Sequence, residues 1–178
     1  MNKKKIKKIL ITGGAGFLGS MITTSLVRKG FTVTVIDNLY FKKNFVKHLK
    51  TYKNFKFIKA NILNRKVQKK YLPNQDLIIP LAALVGAPLC DKKRKLAQNL
   101  NYKVICDMIK ILNKDQKIIY PNTNSGYGIG KKNKFCTEKS PLRPISLYGR
   151  TKVKAEKCIM KHNNSISFRL ATVFGVSY

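Results

Sequence analysis

At 178 residues the chain is long enough for one domain with a substantial core, and an apolar fraction of 44% is ordinary for a globular protein. No uninterrupted apolar run approaches the roughly 20 residues of a membrane-spanning helix, so no membrane partner is expected. The formal charge of +30 invites a polyanion-binding reading, yet 31 of the 37 basic residues are Lys and only six are Arg. Planar readout of phosphates and bases recruits arginine. Lysines scattered over the whole chain read better as solvated surface, with nonspecific polyanion binding at low salt.

The basic start, Met1 to Lys8, precedes an apolar stretch as a signal peptide would. Thr12-Gly13-Gly14 interrupts that stretch, and cleavage would remove the first strand, so a cytoplasmic chain is expected. The cysteines, at 90, 106, 136 and 158, form no C-x-x-C pair, and four reduced thiols are expected. No metal ligands are assigned.

Ile9 to Ile11 is the first strand, followed by Thr12-Gly13-Gly14-Ala15-Gly16-Phe17-Leu18-Gly19 and a helix whose apolar residues from Met21 to Val27 recur at helical spacing. Glycines at 13, 16 and 19 allow a sharp turn, close approach of a ligand and tight helix packing, with the helix N-H groups facing a pyrophosphate. Arg28-Lys29-Gly30 ends the helix. Phe31 to Ile36 is the second strand, and Asp37 at its end is placed to accept hydrogen bonds from a ribose diol. A 2'-phosphate would meet that carboxylate, which favours NAD over NADP, with Lys42 and Lys43 nearby as the counter-argument.

A short helix around Phe45 to Leu49 and a third strand at Phe55 to Ile58 follow, leading into Ala60-Asn61-Ile62. Leu77 to Ile79 reads as a strand buried on both sides, ending at Pro80-Leu81-Ala82-Ala83. There the small residues either let backbone pass close to a cofactor or simply pack under a helix. Leu96, Leu100, Val104, Ile105, Met108, Ile109 and Leu112 predict one long helix from Arg94. Lys117 to Pro121 is the next strand, Asn122 to Ile145 a long loop of the kind that usually carries function, Tyr148 to Met160 a helix and Ser165 to Leu170 a last strand. The alternation predicts an α/β fold with a doubly wound parallel sheet, the Rossmann arrangement, over a single domain spanning residues 1–178.

Tyr148 and Lys152 are four residues apart, hence on one helix face. A phenol with a pKa of about 10 is a poor base at neutral pH, but a lysine ammonium, a positive nicotinamide and a helix start all favour the phenolate. Such a tyrosine could take a proton from a substrate hydroxyl while hydride leaves the same carbon. Thr123, at a strand end, would hold the same substrate oxygen.

Together these residues resemble the extended short-chain dehydrogenase/reductase family, in its NAD-dependent epimerase/dehydratase group. Thr12 to Gly19 is similar to that group's T-G-x-x-G-F-x-G loop, Asp37-Asn38-Leu39 to its NAD-ribose segment, and Asn122 to Gly128 to its S-S-x-x-x-Y-G segment. Pro141 to Tyr148 resembles its approach to the tyrosine, and Phe168 to Gly175 its L-R-x-x-x-V-Y-G strand end. The resemblance implies NAD as cofactor, held by Gly13, Gly16, Phe17, Leu18, Gly19, Asp37, Asn38, Asn61, Ile62, Leu81, Ala82, Ala83, Tyr148 and Lys152, with Thr123, Tyr148 and Lys152 as catalytic residues. It implies a nucleotide-sugar substrate and an epimerase or reductase, with pairing into a homodimer through the helix carrying Tyr148 and its neighbour.

Several positions depart from the group. Asn124 and Ser125 stand where its 4,6-dehydratases carry the acidic pair that eliminates water, which argues against dehydration. Asn61 replaces an aspartate facing adenine, and Pro80 a frequent histidine. Family members continue well beyond the segment matching Phe174-Gly175, so the resemblance implies a chain truncated after the Rossmann portion, with poor turnover unless another chain supplies the sugar pocket. The competing readings are a catalytically idle Rossmann module binding nucleic acid or another polyanion through its basic surface, and an incomplete gene product.

Overall fold

The structure, a computed structural model, describes residues 5–130 and 133–175. The first residues of the basic start, two lysines of the long loop and the last three residues lie outside this description.

Six strands, β1 (Lys8–Thr12), β2 (Thr32–Asp37), β3 (Phe55–Lys59), β4 (Leu77–Pro80), β5 (Lys117–Thr123) and β6 (Ser165–Leu170), form one parallel sheet in the order β3-β2-β1-β4-β5-β6. β1 is central because Ile9, Leu10 and Ile11 are apolar on both faces, and each is at most 1% exposed. Burying one such side chain contributes about 1.5–3 kcal/mol. Leu10 and Ile78 point to one side, where they meet Met108 and Ile159; Ile9, Ile11, Val33 and Val35 point to the other, where they meet Val27. The period of two along the strands thus divides the core into two layers. Strand order reverses between β1 and β4, which puts a crevice at their carboxyl ends. The β4–β5 ladder pairs only Leu77 with Lys117 and Ile78 with Ile118; Pro80, with no N-H to donate, ends β4 beyond that pairing.

The helices depart from the sequence expectation in three places. α1 (Phe17–Arg28) begins at Phe17, directly after the glycine turn. α2 (Arg65–Tyr71) and α3 (Ala87–Lys92) were not expected; α2 starts at Asn64, whose side chain accepts from Lys66 N at 2.9 Å, and α3 carries Pro88 in its first turn. The long helix predicted from Arg94 is three pieces: α4 (Arg94–Gln98), a π-helical turn (Asn99–Lys103) and α5 (Val104–Ile109). The bulge turns Asn101 inward, where Oδ1 accepts from Leu84 N and Nδ2 donates to Leu84 O, both at 2.8 Å. α6 (Leu147–Ile159) follows the long loop, capped by Ser146, whose hydroxyl accepts from Gly149 N at 3.0 Å.

The expectation of four reduced thiols is corrected. Cys106 of α5 and Cys158 of α6 form a disulfide with Cα atoms 5.6 Å apart. Residues 52 apart in sequence meet because the two helices lie side by side on one face of the sheet. Cys90, buried, and Cys136, exposed, are free thiols.

Candidate cofactor and catalytic site

The three glycines of the turn after β1 have different reasons to lack a side chain. Gly13 has φ +70°, and a Cβ there would lie 2.6 Å from Ala82 N; at Gly19 it would lie 2.4 Å from Gly13 O. Those two permit the turn and seat α1 against it. A Cβ on Gly16 would meet only Gly13 O, at 3.4 Å. Gly16 therefore leaves open space on the crevice side, as a cradle for a ligand requires. α1 has no side-chain N-cap and no acidic residue in its first turn, so the N-H groups of Phe17, Leu18 and Gly19 are left to an anion or to water.

Asp37 is tied into this turn. Oδ2 accepts from Ala15 N at 3.1 Å and Oδ1 from Leu39 N at 2.8 Å, which spends part of the carboxylate's acceptor capacity on shaping the crevice and leaves the remainder for a diol. Ala60 N donates to the Asp37 backbone carbonyl at 3.1 Å, so the chain that leads into Asn61 leaves β3 alongside the end of β2. Asn38 and Asn61 each close a local turn, accepting from Tyr40 N at 3.1 Å and Leu63 N at 3.0 Å. Ile62 places its side chain in the core, leaving only backbone for a ligand. Ala82 sits against Gly13, and Leu81 N donates to Thr12 O at 2.9 Å, so the segment after β4 lines the turn with small residues; Leu81 itself packs into the core, and Ala83 is half-buried. The cradle at Gly16, the uncapped helix and the carboxylate beside them fit a dinucleotide.

The acid–base residues come from two neighbouring elements. Thr123 ends β5; its hydroxyl donates to Ser125 Oγ at 3.1 Å and accepts from Ser125 N at 3.2 Å. Tyr148 stands in the first turn of α6, brought close by Gly149, where an added Cβ would lie 2.9 Å from Ser125 O. Burial pushes the Tyr148 phenol above its ordinary value, and the nearby Thr123 hydroxyl works against that. Lys152 is 5% exposed; its Nζ donates to Pro121 O at 2.8 Å and lies 3.9 Å from the centre of the Tyr120 ring. Burial lowers it from 10.5 to about 7, opposed by the nearby carboxylate of Glu156. Thr123 and Tyr148 are therefore together, while Lys152 Nζ points at the end of β5.

Residues 9–177 match the model of the family described as NAD dependent epimerase/dehydratase. The chain belongs to that family. A dTDP-D-glucose 4,6-dehydratase of Dictyostelium discoideum is 32% identical over 97% of this chain and 44% of its own length. A UDP-glucose 4-epimerase of Lactobacillus helveticus is 31% identical over 84% of this chain and 45% of its own. Among solved structures, a UDP-glucuronic acid 4-epimerase from Bacillus cereus in complex with UDP-glucuronic acid and NAD superposes with a TM-score of 0.79 at 26% identity, covering 91% of this chain and 55% of that one. The chain thus spans about half the length of the relatives it matches. Both epimerases and dehydratases stand among these members of the epimerase/dehydratase family.

The sequence reading missed several groups around this family's site. Asn101 fixes the segment after β4 through Leu84, and Cys90 sits close enough to Tyr148 to raise its phenol further. Nothing in the helical spacing from Arg94 announces the inward turn of Asn101. Glu156 and Arg169 join α6 to β6, Arg169 Nε lying 3.1 and 3.2 Å from the two carboxylate oxygens. A glutamate one turn beyond Lys152, in a chain with only two glutamates, was the signal available for that pair.

Proposed function

We propose that this chain is the cofactor-binding and acid–base portion of an NAD-dependent nucleotide-sugar epimerase or related reductase, folded as one Rossmann domain over residues 1–178. The observation that carries the reading is the convergence of Thr123, at the crevice end of β5, and the half-buried Tyr148, in the first turn of α6, with Lys152 one turn further on. Gly13, Gly16, Gly19 and the first turn of α1 would hold the pyrophosphate, Asp37 and Asn38 the adenosine ribose, Asn61 and the Ile62 backbone the adenine, and Ala82 and Ala83 the central span. Lys152 would hold the nicotinamide ribose. NAD, when bound, supplies a hydride acceptor. Thr123 would donate a hydrogen bond to the reacting sugar oxygen, and Tyr148 would remove its proton as hydride departs and return it afterwards. Asn124 and Ser125 beside Thr123 lack the carboxyl groups for eliminating water, which favours epimerisation or reduction over dehydration.

The test is calorimetry of the 178-residue chain with NAD, and separately with single-stranded RNA, across a salt series. Salt-insensitive NAD binding with weak RNA binding is the expected result. Tight RNA binding with a steep salt slope and no NAD binding overturns the reading in favour of a polyanion-binding module. Mixing the NAD complex with UDP-sugars and following nicotinamide absorbance then reads hydride transfer.

A further inference from the structure

We propose that Glu156 is a positioning residue for Lys152: its buried carboxylate holds the lysine ammonium in its charged form, and Arg169 sets how strongly it does so. This rests on the reading of Lys152 as a cofactor-binding and catalytic group.

Among the described residues, Lys152 and Glu156 are the charged residues left exposed over less than a tenth of their surface. They stand four residues apart on α6, hence on one face and one turn apart. They do not pair directly: Lys152 Nζ bonds Pro121 O, while both oxygens of Glu156 face Arg169 Nε. The carboxylate therefore acts on the ammonium through space, in a region too dry to screen it. Arg169 arrives from β6 and is itself fixed, Nη1 donating to Tyr127 OH and to Glu138 O, each at 3.1 Å. One guanidinium thus ties together β6, α6, the turn after Thr123 and the long loop.

The groups facing Lys152 define the balance. Tyr148 and Glu156 flank it on α6, and Tyr120 of β5 lies under it with a hydroxyl that has no hydrogen-bond partner among the described residues. Beyond them stand Arg169 and Tyr127, and Cys90 belongs to the cluster that Tyr148 packs against. Of these, Glu156 supplies the negative charge that opposes burial. A carboxylate needed only as a strut for Arg169 could sit anywhere along α6 opposite β6. Its place one turn from the buried lysine gives it the second task, and the guanidinium on its outer side draws off part of its field.

The experiment is a titration of the chain labelled with carbon-13 at lysine Cε, followed by NMR, with the Lys152 signal assigned by its loss in Lys152→Arg. Glu156→Gln is expected to lower the Lys152 midpoint by about one pH unit or more, and Arg169→Gln to raise it by a similar amount. Shifts of opposite sign are the signature, because loss of a strut would disturb the lysine in the same way from either end. An unchanged midpoint in folded Glu156→Gln, or a fall in Arg169→Gln, overturns the proposal. If Glu156→Gln does not fold, the sign of the Arg169→Gln shift decides alone. NAD affinity is measured on the same samples. Failure of wild type to bind NAD refutes the cofactor reading and leaves the Lys152 titration interpretable.

Discussion

Replacing Lys152 by methionine should stabilise the protein alone, and by an amount that depends on pH. The unfolded chain holds the lysine proton up to 10.5, whereas the folded protein releases it near 7. Between those values the unfolded state binds more protons, so the contribution of this group to stability rises with pH; below about 7 both states are charged and the penalty is complete. At pH 6 the gap of 3.5 units corresponds to about 5 kcal/mol of destabilisation at 1.36 kcal/mol per unit. At pH 9.5 the same linkage leaves about 1.4 kcal/mol. Lys152→Met also loses the bond to Pro121 O, a cost of about 1 kcal/mol that varies little with pH. The net gain is then about 4 kcal/mol at pH 6 and close to zero at pH 9.5, by the same accounting. Urea denaturation of both proteins at each pH gives the result, since the repulsion among the other lysines cancels in the difference. A gain that is the same at both pH values refutes the reasoning, because it would mean that folding does not move the Lys152 titration.

Gly16→Ala and Gly19→Ala should separate ligand space from packing. Gly19→Ala drives a Cβ into Gly13 O and Gly14 Cα and should cost about 3 kcal/mol in thermal or urea unfolding. Gly16→Ala should change stability by less than about 1 kcal/mol, while calorimetry shows NAD affinity reduced about tenfold or more. Tyr148→Phe should keep NAD affinity within about threefold and lower hydride transfer, read from nicotinamide absorbance, by about a hundredfold or more. Changing both Cys106 and Cys158 to serine should cost about 4 kcal/mol, the loop-closure value for residues 52 apart, and should abolish the effect of dithiothreitol on the melting temperature.

Legibility in the sequence followed how local the cause was. The β1-turn-α1 unit was readable because three glycines at fixed spacing between an apolar run and a helical pattern constrain one another within a dozen residues. β2 and β4 were readable from β-branched or wholly apolar runs. α2 was not, because Arg65–Tyr71 is mostly basic; its buried anchor is Gln68, whose Nε2 donates to Ile62 O at 2.8 Å, a polar contact that hydrophobic periodicity cannot reveal. The π turn hides for the converse reason: the apolar residues around it keep helical spacing while Asn101 turns inward to bond the backbone of Leu84. The disulfide depends on α5 and α6 being neighbours, which the spacing of Cys106 and Cys158 does not encode. Within the site, Thr123, Tyr148 and Lys152 were nominated by motif and by strand-end placement. The protonation they start from was not, because it depends on burial by Tyr120, Cys90 and the layer beneath them.

That starting protonation bears directly on the proposed base. Burial favours the neutral form of both Tyr148 and Lys152, so at neutral pH the protein alone offers a phenol that can donate a proton and an ammonium already near its midpoint. For Tyr148 to remove a proton instead, a positive charge must come close to it when ligand binds. The oxidised nicotinamide carries such a charge and the reduced one does not, so the two forms of the cofactor should titrate Tyr148 differently. Ultraviolet difference titration of wild type against Tyr148→Phe isolates this phenol from the other seven tyrosines. With oxidised cofactor its midpoint should fall by about one unit or more relative to the protein alone, which is about 1.4 kcal/mol of coupling. With reduced cofactor the fall should be much smaller. Equal shifts with the two forms would show that contact or dehydration, rather than charge, sets the phenol, and the acid–base role would then have to be assigned to a different group.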